Sequence, residues 1–409
     1  MWTEFYLDEI ATVFNGKTPS KLEQRDEGYP VLKIKDVSQY GKFKGIFESF
    51  VDDEIAAKSK SKLISLNDTL ILNAAHNADY VGSKQYRAEK VVVNSLPTGE
   101  WLIVRADARK IDSIYLNFWF LLDSTRLNIR NMVKGIHLYP KDVARLKIPL
   151  PTLIEQQKIA AILDAADSLR QKDQQLVERY TALSQSLFLE MFGDPVTNPM
   201  GWDVNLLKDL SKKISSGNTP KGGSNVYVQK GILFLRSQNV WRNKLELNDI
   251  AYIDEATHGN MKKTSLKYRD ILMTKTGRFN TENSSLGRAA MFSGDDDTAN
   301  INGHVYLIRL KEKINNEFVL FILTTKQYRD YIRKVCVGGI DKRQINKDHL
   351  ENFPIIAPPS ELQEQFTNKL AIIEQLLQST QASLKKSENL FQSLLQKAFT
   401  GELTAKLVA

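Results

Sequence analysis

The chain contains one cysteine in 409 residues, Cys336, so no disulfide can close within it, and a small buried apolar role is expected for the thiol. Histidine is nearly as scarce. His76, His137, His258, His304 and His349 stand singly, without the local spacing to Cys, Glu or His that a zinc site needs. No Gly-x-x-x-x-Gly-Lys-Ser/Thr loop and no Gly-x-Gly-x-x-Gly after a strand is present, which removes the usual cradles for nucleotide hydrolysis and dinucleotide binding. Gly-x-Ser-x-Gly is missing too. The double proline Pro358-Pro359 lies in Ala-Pro-Pro-Ser, not in the Asn/Asp-Pro-Pro-Tyr/Phe loop with which an adenine methyltransferase holds a flipped base. The run Asp295-Asp-Asp297 sits in a turn-like stretch and reads as a solvated loop, and no acidic-plus-lysine cluster suggests an autonomous nuclease. No window approaches 18 uncharged apolar residues, and the first residues carry Glu and Asp where a signal peptide needs basic ones, so a cytoplasmic location is expected.

What is present is ordinary in bulk: 42% hydrophobic and 25% charged residues suit a folded chain long enough for two or three units. Lys and Arg number 56 against 48 Asp and Glu, a net +8 that makes an anionic partner such as nucleic acid plausible without specifying one.

The informative feature is a repeat with a period of about 200 residues. Trp2 to Ile10 aligns with Trp202 to Leu210, and Gly16-Lys-Thr-Pro19 with Gly217-Asn-Thr-Pro220. Leu32 to Val37 answers Leu235 to Val240, Asn67 to Leu72 answers Arg269 to Thr274, and Trp101 to Arg105 answers Val305 to Arg309. Lys134-Gly-Ile136 then matches Gly338-Gly-Ile340, Glu155-Gln-Gln157 matches Gln363-Glu-Gln365, and Ser184-Gln-Ser-Leu187 with Phe192 matches Phe391-Gln-Ser-Leu394 with Phe399. An unbroken order of this kind implies duplication: globule, helix, globule, helix. Short runs such as Val91-Val-Val93, Ile232 to Leu235 and Val305 to Ile308 read as strands, while Tyr115 to Leu122 and Glu317 to Lys334 have helical spacing. The fold class expected is α+β, with two mixed α/β globules, a pseudo-two-fold internal repeat and two long helices.

Residues from about Ile154 to Phe192 contain no Pro or Gly, enough for a helix roughly 55 to 60 Å long at about 1.5 Å per residue. Ile159, Ile162, Ala166, Leu169, Asp173, Leu176, Tyr180, Leu183 and Leu187 alternate steps of three and four, the heptad seam of a coiled coil. After Pro359, Leu370, Ile373, Leu377, Thr380, Leu384, Ser387, Phe391, Leu394 and Ala398 repeat it. With a globule between them, the two helices are expected to pack antiparallel, the polar Asp173 fixing their register.

Three segments resemble the specificity subunits of Type I restriction-modification systems: Ile148-Pro-Leu-Pro151 leading to Glu155-Gln-Gln157-Lys-Ile159, Phe192-Gly-Asp-Pro195 to Asn198-Pro-Met-Gly-Trp202, and Phe399-Thr-Gly-Glu-Leu403. The likeness covers the whole chain, although the second copy departs at Ala357-Pro-Pro-Ser. It implies a target-recognition domain at 1–150, a central helical spacer at 151–195, a second target-recognition domain at 196–356 and a C-terminal helical spacer at 357–409. Each domain would read one half of a split DNA site, and the helices would set the gap and dock two modification (methyltransferase) subunits. The chain would carry no catalysis and bind no cofactor. S-adenosylmethionine, ATP and Mg would belong to partner modification and restriction (translocase/endonuclease) subunits, and double-stranded DNA would be the target.

Candidate DNA contacts need Lys or Arg for phosphates and forked donors and acceptors for bases. The residues chosen are Lys17, Lys33, Lys35, Asn73, His76, Lys84, Arg87 and Lys134 in the first globule, and Lys221, Arg236, Gln238, Asn239, Lys275, Arg278, Arg288, Lys342 and Arg343 in the second. Gly16-x-Thr-Pro19 and its copy equally suit structural turns. Two alternatives remain open at this stage: the specificity subunit of a Type II restriction-modification complex, and a duplicated coiled-coil scaffold that binds proteins.

Overall fold

The computed structural model describes residues 2–279, 281, 283–339 and 341–405. The chain divides into two compact units, Met1–Gln175 with Thr380–Ala409, and Leu176–Ser379. Both boundaries fall inside long helices, Leu153–Phe192 and Ser360–Thr400, so each unit combines one globule with half of each helix.

In the first unit a four-stranded antiparallel sheet runs in the order Ala11–Asn15, Trp101–Ala106, Thr69–Leu72, Gln85–Arg87, with Thr69 opposite Val104 and Leu72 opposite Trp101. Thr69–Leu72 is buried along its whole length, which is why it reads as an unbroken apolar run and not as an alternation. A three-stranded sheet places Tyr29–Leu32 between Phe50–Val51, antiparallel, and Leu96–Pro97, parallel. Thr3–Tyr6 pairs with Lys147–Leu150 to bring the ends of the globule together. The helix Ser113–Trp119 starts where Asp112 accepts hydrogen bonds from the Ile114 and Tyr115 amides, and Asp123–Asn131 follows it.

The second unit repeats this order with Ser211–Ser216, Val305–Leu310, Ile271–Thr274 and Ala289–Met291, then Ala251–Ile253, Ile232–Leu235 and Ala299–Ile301, and Val204–Leu206 on Pro354–Ile356. The stretch with helical spacing from Glu317 is two helices, Asn316–Thr324 and Lys326–Val335, separated at Thr325. Its extended backbone breaks the first helix, and its side chain caps the second through the Tyr328 amide. Val91-Val-Val93 corrects the sequence expectation: Lys90–Val92 is a single 3-10 turn with only Val92 fully buried, and Asn94 follows at φ +69°. Asp296 and Asp297 accept hydrogen bonds from the Tyr268 amide and the Ser265 hydroxyl, so the triple-aspartate run organises a loop.

Within each unit the two long helices run antiparallel. In the first, Ile159, Leu163 and Ala166 share a core with Phe391, Leu395 and Ala398, and Phe391 lies 5.9 Å from Phe118. In the second, Phe188 and Phe192 pack on Phe366, with ring centroids 5.4 and 5.5 Å away, and on Phe318. Asp173 is buried and accepts hydrogen bonds from Ser383 (3.1 Å) and Ser387 (2.8 Å). The second helix turns Leu370, Ile373, Leu377, Leu384, Phe391 and Leu394 inward, each buried or half-buried. On the first helix Ile159, Ala166, Tyr180 and Leu187 do the same, but Leu169, Leu176 and Leu183 are 47%, 38% and 47% exposed. That corrects the seam at these three leucines: the inward stripe passes one residue later, through Leu163, Arg170, Val177 and Ser184. Arg170 can occupy it because its guanidinium bonds Asp167 and lies 5.3 Å over the Phe391 ring.

The motifs at the helix ends are structural. Gln156 is buried and donates to the Pro151 carbonyl at 2.9 Å, and Gln363 donates to the Pro358 carbonyl at 2.8 Å. Gln156 therefore corresponds to Gln363, one residue off the alignment made from sequence. Gly193 closes the first helix at φ +73°, Asn198 bonds both the amide and the carbonyl of Trp202, and the Trp202 indole donates to the Phe192 carbonyl at 3.0 Å.

Candidate nucleic-acid interface

The candidate contacts fall into two groups, those whose donors are consumed inside the globule and those left on its surface. Asn73 is buried and donates to Asn15 Oδ1 (2.9 Å) and the Gly99 carbonyl (3.0 Å). Asn239 is buried and spans the Arg236 amide and the Glu246 and Asp249 carbonyls. Lys84 donates to the carbonyls of Ile34 (3.0 Å) and Val37 (2.7 Å), and burial pushes its pKa down. Lys275 is buried over the Tyr306 ring, 4.4 Å from its centroid, bonds the Ser216 hydroxyl, and is likewise pushed down by burial. Arg87 pairs with Asp164 at 2.6 Å, tying the sheet to the first long helix. Arg236 and Gln238 both hold Asp249, whose carboxyl is kept below the usual range by the bonds from Gln238 and Arg236. Each of these seven side chains has at least one polar group engaged within the globule, although Gln238 stays exposed and the Arg236 Nε is buried without a hydrogen-bond partner.

The Gly-x-Thr-Pro turns are structural too. A Cβ on Gly16 would meet the Pro97 and Thr98 carbonyl oxygens at 2.4 and 2.3 Å, and one on Gly217 would meet those of Ile301 and Asn302. Lys17 is half-buried beside this turn, Lys33 caps the 3-10 turn Ile34–Asp36, and Lys35 on that turn is exposed and paired with Glu48. Lys221 is exposed directly after Pro220, at the end of the second turn.

The surface group converges at one edge of each globule. In the first, Ala74 and Lys134 each bridge to His137, which brings exposed His76 and Lys134 to neighbouring loops, with Lys134 also paired to Asp142 at 2.8 Å. In the second, the same place carries a small antiparallel sheet of Thr276–Gly277, Arg343–Gln344 and Val337–Gly338. Ile340 of the aligned Gly-Gly-Ile lies outside the described residues. An open cleft of about 340 Å³ beside this sheet is lined by Thr276, Arg278, Asn283, Ser285, Arg288 and Lys342. Arg278 and Lys342 are exposed there. Arg288 forms the back wall: its Nε donates to the Ser284 carbonyl at 3.0 Å and its guanidinium lies 3.8 Å over Trp241. Arg343 stacks 4.1 Å over Phe279.

Sequence reasoning missed Trp241, Phe279, Arg242, Arg329 and Arg333. The last two are an i, i+4 pair on the helix Lys326–Val335, a spacing legible beforehand. Burial, together with Arg242, Arg333 and Arg288, lowers the Arg329 pKa to about 10. Among the described residues no group of three or more His, Cys, Asp or Glu could hold a metal ion, and no helix is long and apolar enough to cross a membrane. What the cleft offers is Arg278, Arg288 and Lys342 with the Asn283 amide, against one carboxylate, Asp341, on loops beside the small sheet, a balance that suits a polyanion.

The chain is 22% identical to the Type I restriction enzyme MjaVIII specificity subunit of Methanocaldococcus jannaschii, over 99% of this chain and 93% of that one. It is 22% identical to the StySPI specificity subunit of Salmonella potsdam (99% and 90%) and 20% identical to the EcoKI specificity subunit of Escherichia coli K12 (99% and 90%). Among solved structures it shares its fold with the S subunit of a Type I restriction-modification system from M. genitalium, at a TM-score of 0.60 and 14% identity, covering 98% of this chain and 96% of that one. The family model for the Type I restriction modification DNA specificity domain matches twice, at residues 1–179 and 199–389, once on each copy of the repeat, and the chain belongs to that family.

Proposed function

We propose that this chain is the sequence-specific DNA recognition subunit of a Type I restriction-modification complex and has no catalysis of its own. Residues 1–150 and 196–356 are its two target-recognition domains, and 151–195 and 357–409 are helical spacers that set the distance between half-sites. The observation that carries the reading is that one globule is built twice with the same strand order, while the side chains at equivalent edge positions differ. Ser38 stands where the second copy has Trp241, and Lys134 where it has Gly338. A conserved frame with unlike loops suits two unlike half-sites, and hence an asymmetric split target.

Two modification subunits dock on the helices and supply S-adenosylmethionine chemistry, and restriction subunits supply ATP- and Mg-dependent translocation and cleavage. The named relatives are Type I specificity subunits, which favours this assembly over a Type II complex or a protein-binding scaffold.

The test is genome-wide detection of modified adenines in cells with and without this gene, in the presence of its modification subunit. Loss of methylation at one split motif supports the reading. Unchanged methylation with an active modification subunit overturns it.

A further inference from the structure

Shortly after helix Asp123–Asn131 the chain of the first unit makes a two-residue hairpin. The Lys134 amide donates to the His137 carbonyl at 2.9 Å and the His137 amide to the Lys134 carbonyl at 3.2 Å, which leaves Gly135 and Ile136 at the tip. Gly135 has φ +63°, the left-handed value that so tight a turn asks of its first central residue, and glycine takes it without strain. The base of the hairpin is anchored. Met132, Val133 and Leu138 pack in the core of the unit, the Leu138 amide donates to the Asn73 carbonyl at 2.8 Å, and Ala74 bridges to His137.

Ile136 stands outside that anchor and is 44% exposed. Beside the glycine of such a turn Asn, Asp or Ser would serve the fold better, because their short polar side chains bond the turn itself. An apolar β-branched residue on an exposed tip breaks the local rule without a packing return, and such positions are where function overrides folding. His137 and Tyr139, both exposed, extend the surface, with ring centroids 6.3 Å apart. Lys134 pairs with Asp142 at 2.8 Å; that bond, with Lys141 and Arg145 nearby, holds the Asp142 carboxyl below the usual aspartate range, so the flank of the hairpin is cationic on balance. Asp79 is a second exposed acid, on the loop that carries His76.

The second copy keeps the same dipeptide. Gly339-Ile340 aligns with Gly135-Ile136 and lies in sequence between the paired strands Val337–Gly338 and Arg343–Gln344. The residues on either side of it diverge, Lys134 against Gly338 and His137 against Asp341. A side chain that reads a base should differ where the half-sites differ, so a shared isoleucine fits a task common to both. Deformation of the duplex is such a task. An apolar side chain pushed between base pairs unstacks and kinks DNA, and an adenine must leave the stack before it can be methylated.

We propose that Ile136 is a wedge: carried on its hairpin tip, it enters the duplex at the half-site of its own domain and unstacks a base step, which eases extrusion of the adenine to be methylated. The proposal rests on the DNA-recognition reading.

It is tested with the complex assembled from this chain and its modification subunits, on duplexes carrying the methylated motif. In each half-site in turn the target adenine is paired normally, set in a mismatch, or replaced by 2-aminopurine. Ile136→Ser is expected to weaken binding of the paired duplex about tenfold, the scale of a lost unstacking contact, and to remove most of the 2-aminopurine fluorescence rise in one half-site. Ile136→Leu is expected to keep both. A mismatch at that adenine lowers the unpairing cost in advance, so it should return the Ile136→Ser affinity to the parent value, and the same mismatch in the other half-site should not. Unchanged affinity and fluorescence in Ile136→Ser would overturn the wedge while leaving the recognition reading intact. A deficit that the mismatch leaves in place would overturn it in favour of a direct base contact, such as one with a thymine methyl. Impaired assembly with the modification subunits would overturn it in favour of a tip that faces protein. Parent complex that binds a scrambled duplex as well as the motif would overturn the recognition reading too. Should Ile136→Ser lower the melting temperature, Ile136→Asn supplies a turn-forming residue and carries the same test.

Discussion

Arg105 and Asp68 form an ion pair with a buried carboxylate, Nη2 lying 2.7 Å from Oδ2, and the second copy reproduces it as Arg309 and Asp270 at 2.7 Å. In both, the arginine also donates to a backbone carbonyl, Leu63 or Ser265, and the carboxylate accepts the amide three residues before it, Ser65 or Lys267. Asp270→Ala would strand the Arg309 guanidinium, whose side chain is 19% exposed, and should cost about 3–5 kcal/mol. Asp270→Leu with Arg309→Met should cost much less. Urea denaturation of the single and double variants measures the difference, and equal losses would show that the two charges are not coupled.

Leu163 is buried, whereas Leu169 is 47% exposed. Leu163→Ala should therefore destabilise the chain by about 2–5 kcal/mol, and Leu169→Ala or Leu183→Ala by no more than about 0.5 kcal/mol. The reverse ranking in a melting experiment would restore the seam inferred from sequence.

The reason for that misplacement lies in the residue pairs the helix offers. At each step Leu169 stands beside Arg170, Leu176 beside Val177 and Leu183 beside Ser184, and hydropathy alone selects the leucine. Tertiary contacts reverse the choice, because Arg170 finds Asp167 and the Phe391 face. In the second helix Ile372 and Leu390 stand beside Ile373 and Phe391 and are exposed, but the three-and-four spacing selects Ile373 and Phe391, so pattern and packing coincide there. The paired strands were legible for a different reason: Asp68 and Arg105 lie inside segments that recur in order as Asp270 and Arg309. The DNA-contact candidates were the least legible, since a lysine such as Lys84 that caps two carbonyls has the same sequence appearance as one that grips a phosphate.

Ser387 and Ser383 give the buried Asp173 carboxylate its hydrogen bonds across the helix pair. Ser387→Ala should lower stability by about 1–3 kcal/mol, and adding Ser383→Ala should cost more than the sum of the two single changes. A double-mutant cycle with Asp173→Leu reads the coupling, and strict additivity would remove Asp173 as a register device.

Asp249 holds Arg236 and Gln238, and its folded pKa is depressed. Whatever stability it contributes is complete above the ordinary aspartate value of 3.8 and is lost as pH falls through the lower folded value. Asp249→Asn should flatten that acid limb of the melting profile and leave the neutral region nearly unchanged. An unaltered limb would mean that the pair bears no pH-linked stability.

Arg278 is exposed, with no ion pair among the described residues. Arg278→Ala should leave melting within about 0.5 kcal/mol. If Arg278 reads a base, it should relax discrimination at one position of the second half-site by about 1–3 kcal/mol. Affinities for a set of single-base variants of the motif decide this.

The Leu72 amide meets the Lys84 carbonyl and the Thr274 amide meets the Arg288 carbonyl, closing loops that span 12 and 14 residues between otherwise matching strands. Lengthening a loop of this size by two residues changes its closure entropy by well under about 0.6 kcal/mol. The scaffold therefore tolerates insertion and deletion in the loops that carry His76 and Arg278. A lineage carrying this gene could drift from one recognised sequence to another through small indels, each intermediate still folding, so that its diversity of targets would be limited by selection on the host genome's own methylation and not by protein stability.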